Sequence, residues 1–238
     1  NTLSLHDALP ILYQLNALVD SEVQIKAVSN MIIAVVGHTG SGKSSVANHI
    51  LQEYNTFQLK QYTTRPKRDE NDNEYIFLSD EEFDKKNFSI VESYDVVWNG
   101  EDMEWRYAVE SIPFDEVGSS VYLLVCNPST VEKLKIMYGE DNILPLVVKA
   151  PYKVRMERYL SRELPENIES AKKEFNRRNS KDMPLFSSDA IKEMNAIIVD
   201  NPSNNDGTWE FLVKRLNATI PLVVGMKMLK PDLKYDFD

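Results

Sequence analysis

Apolar positions along the chain alternate between short continuous runs and longer segments with apolar residues at helical spacing. Met31 to Val36 is wholly apolar, and Ser120 to Cys126, Asn142 to Lys149 and Asn195 to Val199 are nearly so. Runs of this length are what strands buried on both faces produce. Helical segments lie between them. Ser44 to Tyr54 carries Val46, Ile50 and Leu51 on one face without a breaker, and Pro128 to Tyr138 opens on proline and ends before Gly139. Tyr152 to Arg162, Pro165 to Lys181 and Trp209 to Leu216 complete the series. Buried strands alternating with helices predict a parallel sheet covered on both faces.

The stretch between the first two helices breaks this rhythm. Phe57 to Tyr62 alternates as a second strand, followed by the polar loop Glu70–Asn73 and the apolar pair of positions in Glu74 to Leu78. Ser79-Asp80-Glu81-Glu82 has the capping-box pattern, which predicts a short helix to about Lys86. Ser89 to Trp98 and Glu104 to Val109 alternate as strands, with Asn99-Gly100 between them as a turn. These elements read as a small mixed insertion. The chain after Ile220 reads as a surface segment without an assigned role.

Composition narrows the class. The chain has 238 residues, 42% of them hydrophobic, and a net charge of −10. No basic stripe is present to neutralise a nucleic acid backbone, so nucleic acid is not expected as a partner. A single cysteine, Cys126, allows no internal disulfide and suits a reducing cytoplasm, and no apolar run is long enough for a membrane span. His6, His38 and His49 are scattered and do not form a metal site with that cysteine. Thr2 to Ile11 resembles the translation of a common short-read sequencing adapter. Residues 1–30 are therefore expected to be an artefact or a disordered leader, with Met31 the natural start. Without Asp7, Asp20, Glu22 and Lys26 the net charge is still −8.

Gly37-His38-Thr39-Gly40-Ser41-Gly42-Lys43-Ser44 fits the phosphate-cradling pattern G-x-x-x-x-G-K-[ST], and it sits between a predicted strand and a predicted helix. Glycines let the backbone turn its N–H groups inward around a phosphate, and the helix that follows adds its positive N-terminal end. In this pattern Lys43 reaches the β- and γ-phosphates and the Ser44 hydroxyl ligates Mg²⁺, with Ser45 continuing the first turn. A second cluster, Thr63-Thr64-Arg65-Pro66-Lys67-Arg68 with Tyr75 further on, places two guanidinium forks and a phenol within reach of one anion. A solvated basic loop is the plain alternative.

Together, G-x-x-G-x-G-K-S, T-T-R-x-x-R and Y-x-F resemble the guanylate kinase family, over Met31 to about Leu216. The resemblance implies an α/β P-loop NTPase three-layer fold with a central parallel sheet, an inserted monophosphate-binding subdomain and a lid. It divides residues 31–220 into a core (31–60, 113–150 and 184–220), a monophosphate-binding part (61–112) and a lid at about 160–183, leaving 221–238 as a tail. It implies transfer of the γ-phosphate of ATP to GMP or dGMP with Mg²⁺. By motif, Arg65, Arg68, Tyr75 and Tyr107 hold the monophosphate, and Glu92 reads guanine through N1–H and N2–H. Arg158 and Arg162 match the lid's R-x-x-x-R and, with Lys43, stabilise the moving phosphoryl group. Arg155, Arg177 and Arg178 are further lid candidates, although Arg–Glu pairing on a helix surface accounts for such residues equally well.

The chain departs from the family at Gln61 and Val109, where small hydroxyl residues are usual. Leu123 to Asn127 carries no carboxylate where the family has Asp-x-Asp at a strand end, with Asp95 or Asn127 as candidate substitutes. Asn195 to Asn201 resembles the family's late strand end, a resemblance that implies Asp200 and Asn201 as candidates near the adenine. These departures leave the base, the sugar and the oligomeric state open. They keep three alternatives in view: a kinase for another nucleoside monophosphate, a non-catalytic phosphopeptide-binding module of the same fold, and a generic P-loop ATPase.

Overall fold

The computed structural model describes residues 30–67, 70, 72, 75–98, 101–112, 114, 120–161, 167–202 and 206–229. Residues 1–29 of the expected leader, Arg68, the Asn99-Gly100 turn, Arg162 and the last nine residues of the expected tail lie outside them.

Five parallel strands form the central sheet. They are β1 (Met31–Val36), β2 (Thr56–Gln58), β7 (Val121–Val125), β8 (Ile143–Lys149) and β9 (Ile197–Asp200), in the order β2-β7-β1-β8-β9. β1 is central, paired on one side with β7 and on the other with β8. Its alternate residues face opposite layers. Met31, Ile33 and Val35 pack with Val46, Ala47 and Ile50 of α1 (Lys43–Glu53) and with Leu212, Leu216 and Ile220 of α7 (Asp206–Leu229). Ile32, Ala34 and Val36 pack with Val131 and Leu134 of α3 (Pro128–Tyr138), with Ile191 of α6 (Ser188–Glu193) and with Met194, which caps that helix. Both faces of the sheet are covered, which is why its strands are continuous apolar runs rather than alternating ones. The result is a three-layer α/β fold.

The insertion is a second, four-stranded sheet ordered β4-β3-β6-β5, made of β3 (Gln61–Thr63), β4 (Ile76–Phe77), β5 (Phe88–Trp98) and β6 (Glu101–Glu110). The long β5–β6 pair is antiparallel, and Ile90 and Val109 join the core layer on the α3 side. The short helix α2 (Asp80–Asp84) starts in a full capping box between Ser79 and Glu82.

Three elements differ from the sequence expectation. The single strand expected over Phe57 to Tyr62 is two strands in different sheets. Leu59 donates its N–H to Leu123 of the central sheet, while Glu110 Oε1 accepts from the Lys60 N–H, so the chain changes sheets between these residues. The closing helix does not stop at Leu216 but continues through Pro221 to Leu229, so the segment after Ile220 begins as helix. The six-residue helix α6, capped by Ser187, was not anticipated. The charged segment after Pro165 is helical as expected, as α5 (Ile168–Asp182), and α4 spans Tyr152–Leu160. Among the described residues no helix is long and apolar enough to cross a membrane.

Candidate active site

The glycine-rich loop leaves the C-terminal end of β1, the central strand, and enters α1 directly. Gly42 takes the N-cap position with φ 98°, without a side-chain cap, and no acidic residue occupies the first turn. The N-terminal N–H groups of this helix are therefore left to an outside acceptor, and its dipole favours an anion there. Ser44 and Ser45 are exposed on that first turn. Lys43 folds back over the loop, donating to the carbonyls of Gly37 at 2.9 Å and His38 at 3.2 Å. Gly40, at φ 78°, lies so close to the Arg155 backbone that a Cβ there would stand 2.4 Å from its carbonyl oxygen. The Ser41 hydroxyl is buried and has no hydrogen-bond partner among the described residues. An uncapped helix start, a lysine over the loop and an exposed serine on the first turn fit a nucleotide phosphate with Mg²⁺.

The loop is held from outside by side chains that sequence spacing had grouped differently. Arg158 Nη1 donates to the Ser41 carbonyl at 3.2 Å and Nη2 to Asn201 Oδ1 at 3.0 Å, and Asn201 Nδ2 donates to the same Ser41 carbonyl at 2.9 Å. Asn201, expected near a base, is a buried clamp on the loop. Arg155 is also buried rather than displayed on a lid. It donates to the carbonyls of Ala150 and Thr39 and to Asn179 Oδ1 of α5, and its guanidinium lies over Phe175. Burial lowers its pKa from the ordinary arginine value, against the pull of Asp182 and Tyr152. The far end of α5 reaches the loop too, where Asp182 Oδ2 accepts from the Thr39 N–H at 3.3 Å. His38 is half-buried against Phe186, with ring centres 4.5 Å apart. Desolvation first, and then the Arg155 charge, push its pKa down to about 4, with Asp182 opposing. Arg177 and Arg178 both pair with Glu174 on the surface of α5, as the plain reading of such spacing allowed.

The second sheet carries a second constellation. Glu92 and Tyr107 face each other across β5 and β6, and Tyr107 in turn faces Thr63 of β3. Tyr107 meets Tyr75 on one side and Tyr94 on the other, edge to face, each at 5.5 Å between ring centres. This row of three phenols ends on Glu92, whose Oε2 accepts from the Tyr94 hydroxyl at 2.8 Å. Glu92 Oε1 accepts from Ser129 at 3.0 Å and pairs with Lys133 at 3.1 Å, both on α3. Desolvation works to raise the Glu92 pKa, but the hydrogen bonds from Tyr94, Lys133 and Ser129 outweigh it and hold the carboxyl below its usual range. Tyr94, desolvated and donating to that carboxylate, is pushed up to about 12. Asn127, the suggested substitute for the missing acid, donates to the Tyr94 hydroxyl at 3.3 Å. Asp95 lies further along β5, opposite Glu104.

Arg65, expected from its motif to hold the monophosphate, is enclosed in the protein. It is 2% exposed, paired with Asp72 at 2.9 Å and donating to the Pro66 carbonyl, beneath the rings of Tyr75 and Phe77. Its Nη1 and Nη2 are engaged inside the protein, while its buried Nε has no hydrogen-bond partner among the described residues. The two strand positions that depart from the family, Gln61 and Val109, are direct cross-strand partners, and Val109 is buried in the core. A hydroxyl there would be an unpaired polar group in an apolar layer, so the valine is a packing residue.

No family model and no curated protein sequence matches the chain. Among solved structures, the crystal structure of a guanylate kinase from Anaplasma phagocytophilum aligns over 82% of this chain and 86% of its own, with a TM-score of 0.47 and 19% identity. The unliganded structure of a sugar kinase from Janibacter sp. HTCC2649 aligns over 87% of this chain and 99% of its own, with a TM-score of 0.36 and 13% identity.

Proposed function

We propose that the protein is an ATP-dependent nucleoside monophosphate kinase whose acceptor is GMP or dGMP. The observation that carries this reading is the uncapped, acid-free N-terminus of α1, entered from the central strand through a loop over which Lys43 is folded. That arrangement suits the triphosphate of a donor nucleotide. The aromatic row ending on Glu92 suits the base of an acceptor. Cys126 and Asn127, just past the end of β7, link the two regions: the Cys126 N–H donates to the Val35 carbonyl beside the loop, and Asn127 donates to the Tyr94 hydroxyl of the aromatic row. Donor and acceptor regions thus flank one strand end.

In this reading Lys43 leaves the Gly37 and His38 carbonyls for the β- and γ-phosphates. The N–H groups of the loop and of the first turn of α1 hold the same phosphates, and Ser44 offers its hydroxyl to Mg²⁺. Mg²⁺ supplies neutralisation of the charge developing on the phosphate oxygens. Arg158, with Arg162 beyond it in sequence, adds positive charge behind the loop, and Arg68 is the candidate for the acceptor phosphate while Arg65 is paired with Asp72. The acceptor phosphate is already anionic at neutral pH, so direct in-line transfer needs no general base.

The test is ADP formation by the full chain with ATP and Mg²⁺, offering GMP, dGMP, dTMP, AMP, CMP and UMP separately. Turnover with GMP or dGMP, lost in Lys43→Ala, is the expected result. Turnover only with another monophosphate keeps the kinase and removes the guanine assignment. A folded protein that binds ATP and turns over none of the six overturns the reading.

A further inference from the structure

The Glu92–Lys133 pair does more than join β5 to α3. Glu92 Oε1 is occupied twice, by Ser129 and Lys133, and Oε2 once, by Tyr94. A carboxylate has about four acceptor positions, so one remains, on Oε2. Lys133 has three N–H donors. One goes to Glu92 Oε1 at 3.1 Å and one to the Val91 carbonyl at 3.3 Å. The third has no partner among the described residues, and the side chain is 45% exposed beside a carboxylate that is 11% exposed. The cluster therefore offers one acceptor and one charged donor next to each other.

The geometry points to Lys133 as a specificity-determining residue that, with Glu92, reads a lactam edge of the acceptor base: a ring N–H beside a carbonyl. This rests on the proposed kinase reading and refines its base. The ring N–H donates to Glu92 Oε2, and the adjacent carbonyl accepts from the third N–H of Lys133. Guanine has this edge in N1–H and O6, and hypoxanthine has the same edge without the 2-amino group. The 2-amino group finds no open acceptor on Oε1, because Ser129 and Lys133 fill it. Guanine and hypoxanthine are therefore accepted about equally. Adenine sets an acceptor nitrogen against Oε2 and an amino donor against the ammonium, a mismatch at both atoms.

The experiment measures steady-state kinetics of the full chain with GMP, IMP and AMP, for wild type, Lys133→Met and Lys133→Arg. For wild type, kcat/KM for IMP is expected within about threefold of that for GMP, and that for AMP lower by about 100-fold. Lys133→Met is expected to raise the KM for GMP and IMP about tenfold, the worth of one hydrogen bond from a charged donor, and to narrow the gap to AMP further, because the ammonium no longer faces the adenine amino group. Lys133→Arg, which keeps charged donors, is expected to recover part of the loss. A tenfold or greater preference for GMP over IMP overturns the inference, because it requires the 2-amino group to be read. So does a Lys133→Met variant that moves GMP and AMP alike, as a purely structural pair would. Either result leaves the kinase reading standing, whereas failure of all acceptors removes both.

Discussion

Asn201 donates to the Ser41 carbonyl at 2.9 Å across 160 positions of sequence. Arg158 reaches the same carbonyl and also donates to Asn201, closing a triangle behind the glycine-rich loop. The side chain is buried, so its removal leaves polar groups without partners rather than exposing them to water. Asn201→Ala is expected to cost about 1–3 kcal/mol of stability, read as a lower urea midpoint at unchanged slope. It is also expected to weaken ATP binding more than GMP binding, since the loop and not the aromatic row loses its support. Equal loss for both nucleotides, or no loss, would count against the clamp.

Gly40 allows a sharper test of the loop. Its φ of 78° is left-handed, and a Cβ would lie 2.4 Å from the Arg155 carbonyl oxygen and 3.0 Å from the carbonyl carbon, both backbone atoms that cannot swing away. The conformation alone costs a non-glycine residue about 1–2 kcal/mol, and the contact adds to it. Gly40→Ala is expected to lower the unfolding temperature by several degrees and to abolish nucleotide binding. At Gly42, also left-handed at φ 98°, the nearest atom to an added Cβ is the Asn201 side-chain amide, which can give way by releasing the Ser41 carbonyl whereas a backbone atom cannot. Gly42→Ala is therefore expected to cost less stability than Gly40→Ala, and calorimetry of the two variants side by side decides the order.

These two sites show how much the sequence disclosed. The strand, the loop and α1 were legible because apolar run, glycine spacing and helical periodicity are local signals, and all three agree. The helical spacing of Arg155 and Arg158 correctly put both on one face. It could not show that the face is turned inward, because their partners at Thr39, Asn179, Ser41 and Asn201 are supplied by other elements. Leu59 and Lys60 illustrate the same limit in a strand. Alternation marked the segment as extended, but which sheet each half joins is decided by Leu123 and Glu110, more than forty residues away. Glu92 was visible as a candidate, whereas its ties to Ser129 and Lys133 needed α3 to be packed beside β5.

Arg65 and Asp72 form a pair in which both side chains are almost wholly enclosed, at 1% and 5% exposure. Breaking a buried pair from one side strands the other charge, at a cost of about 3–5 kcal/mol, whereas replacing both partners with apolar residues often costs little. Asp72→Ala is expected to destabilise the protein strongly, and Arg65→Met with Asp72→Leu to recover most of the loss. A double-mutant cycle on urea midpoints measures the coupling. If the single and double variants are equally stable, the pair does not hold the loop that follows β3.

His38 stands in the glycine-rich loop with its pKa lowered from 6.5 to about 4, by desolvation first and by Arg155 second. The unfolded chain therefore binds a proton at this position between pH 6.5 and 4 that the folded chain does not. The neutral ring's contribution to stability is fully present above pH 6.5 and is lost as pH falls through that window toward 4. His38→Gln, which carries no titrating group, is expected to flatten the stability profile between pH 6.5 and 4 while leaving the profile above pH 7 parallel to wild type. A proton NMR titration of the ring gives the direct measurement, with a midpoint near 4 expected for the free protein. Adding ATP places negative charge at the loop, which favours the protonated ring and moves that midpoint upward. A midpoint near 6.5 in the free protein would mean that the ring is not enclosed by Phe186 and the Arg155 side of the loop.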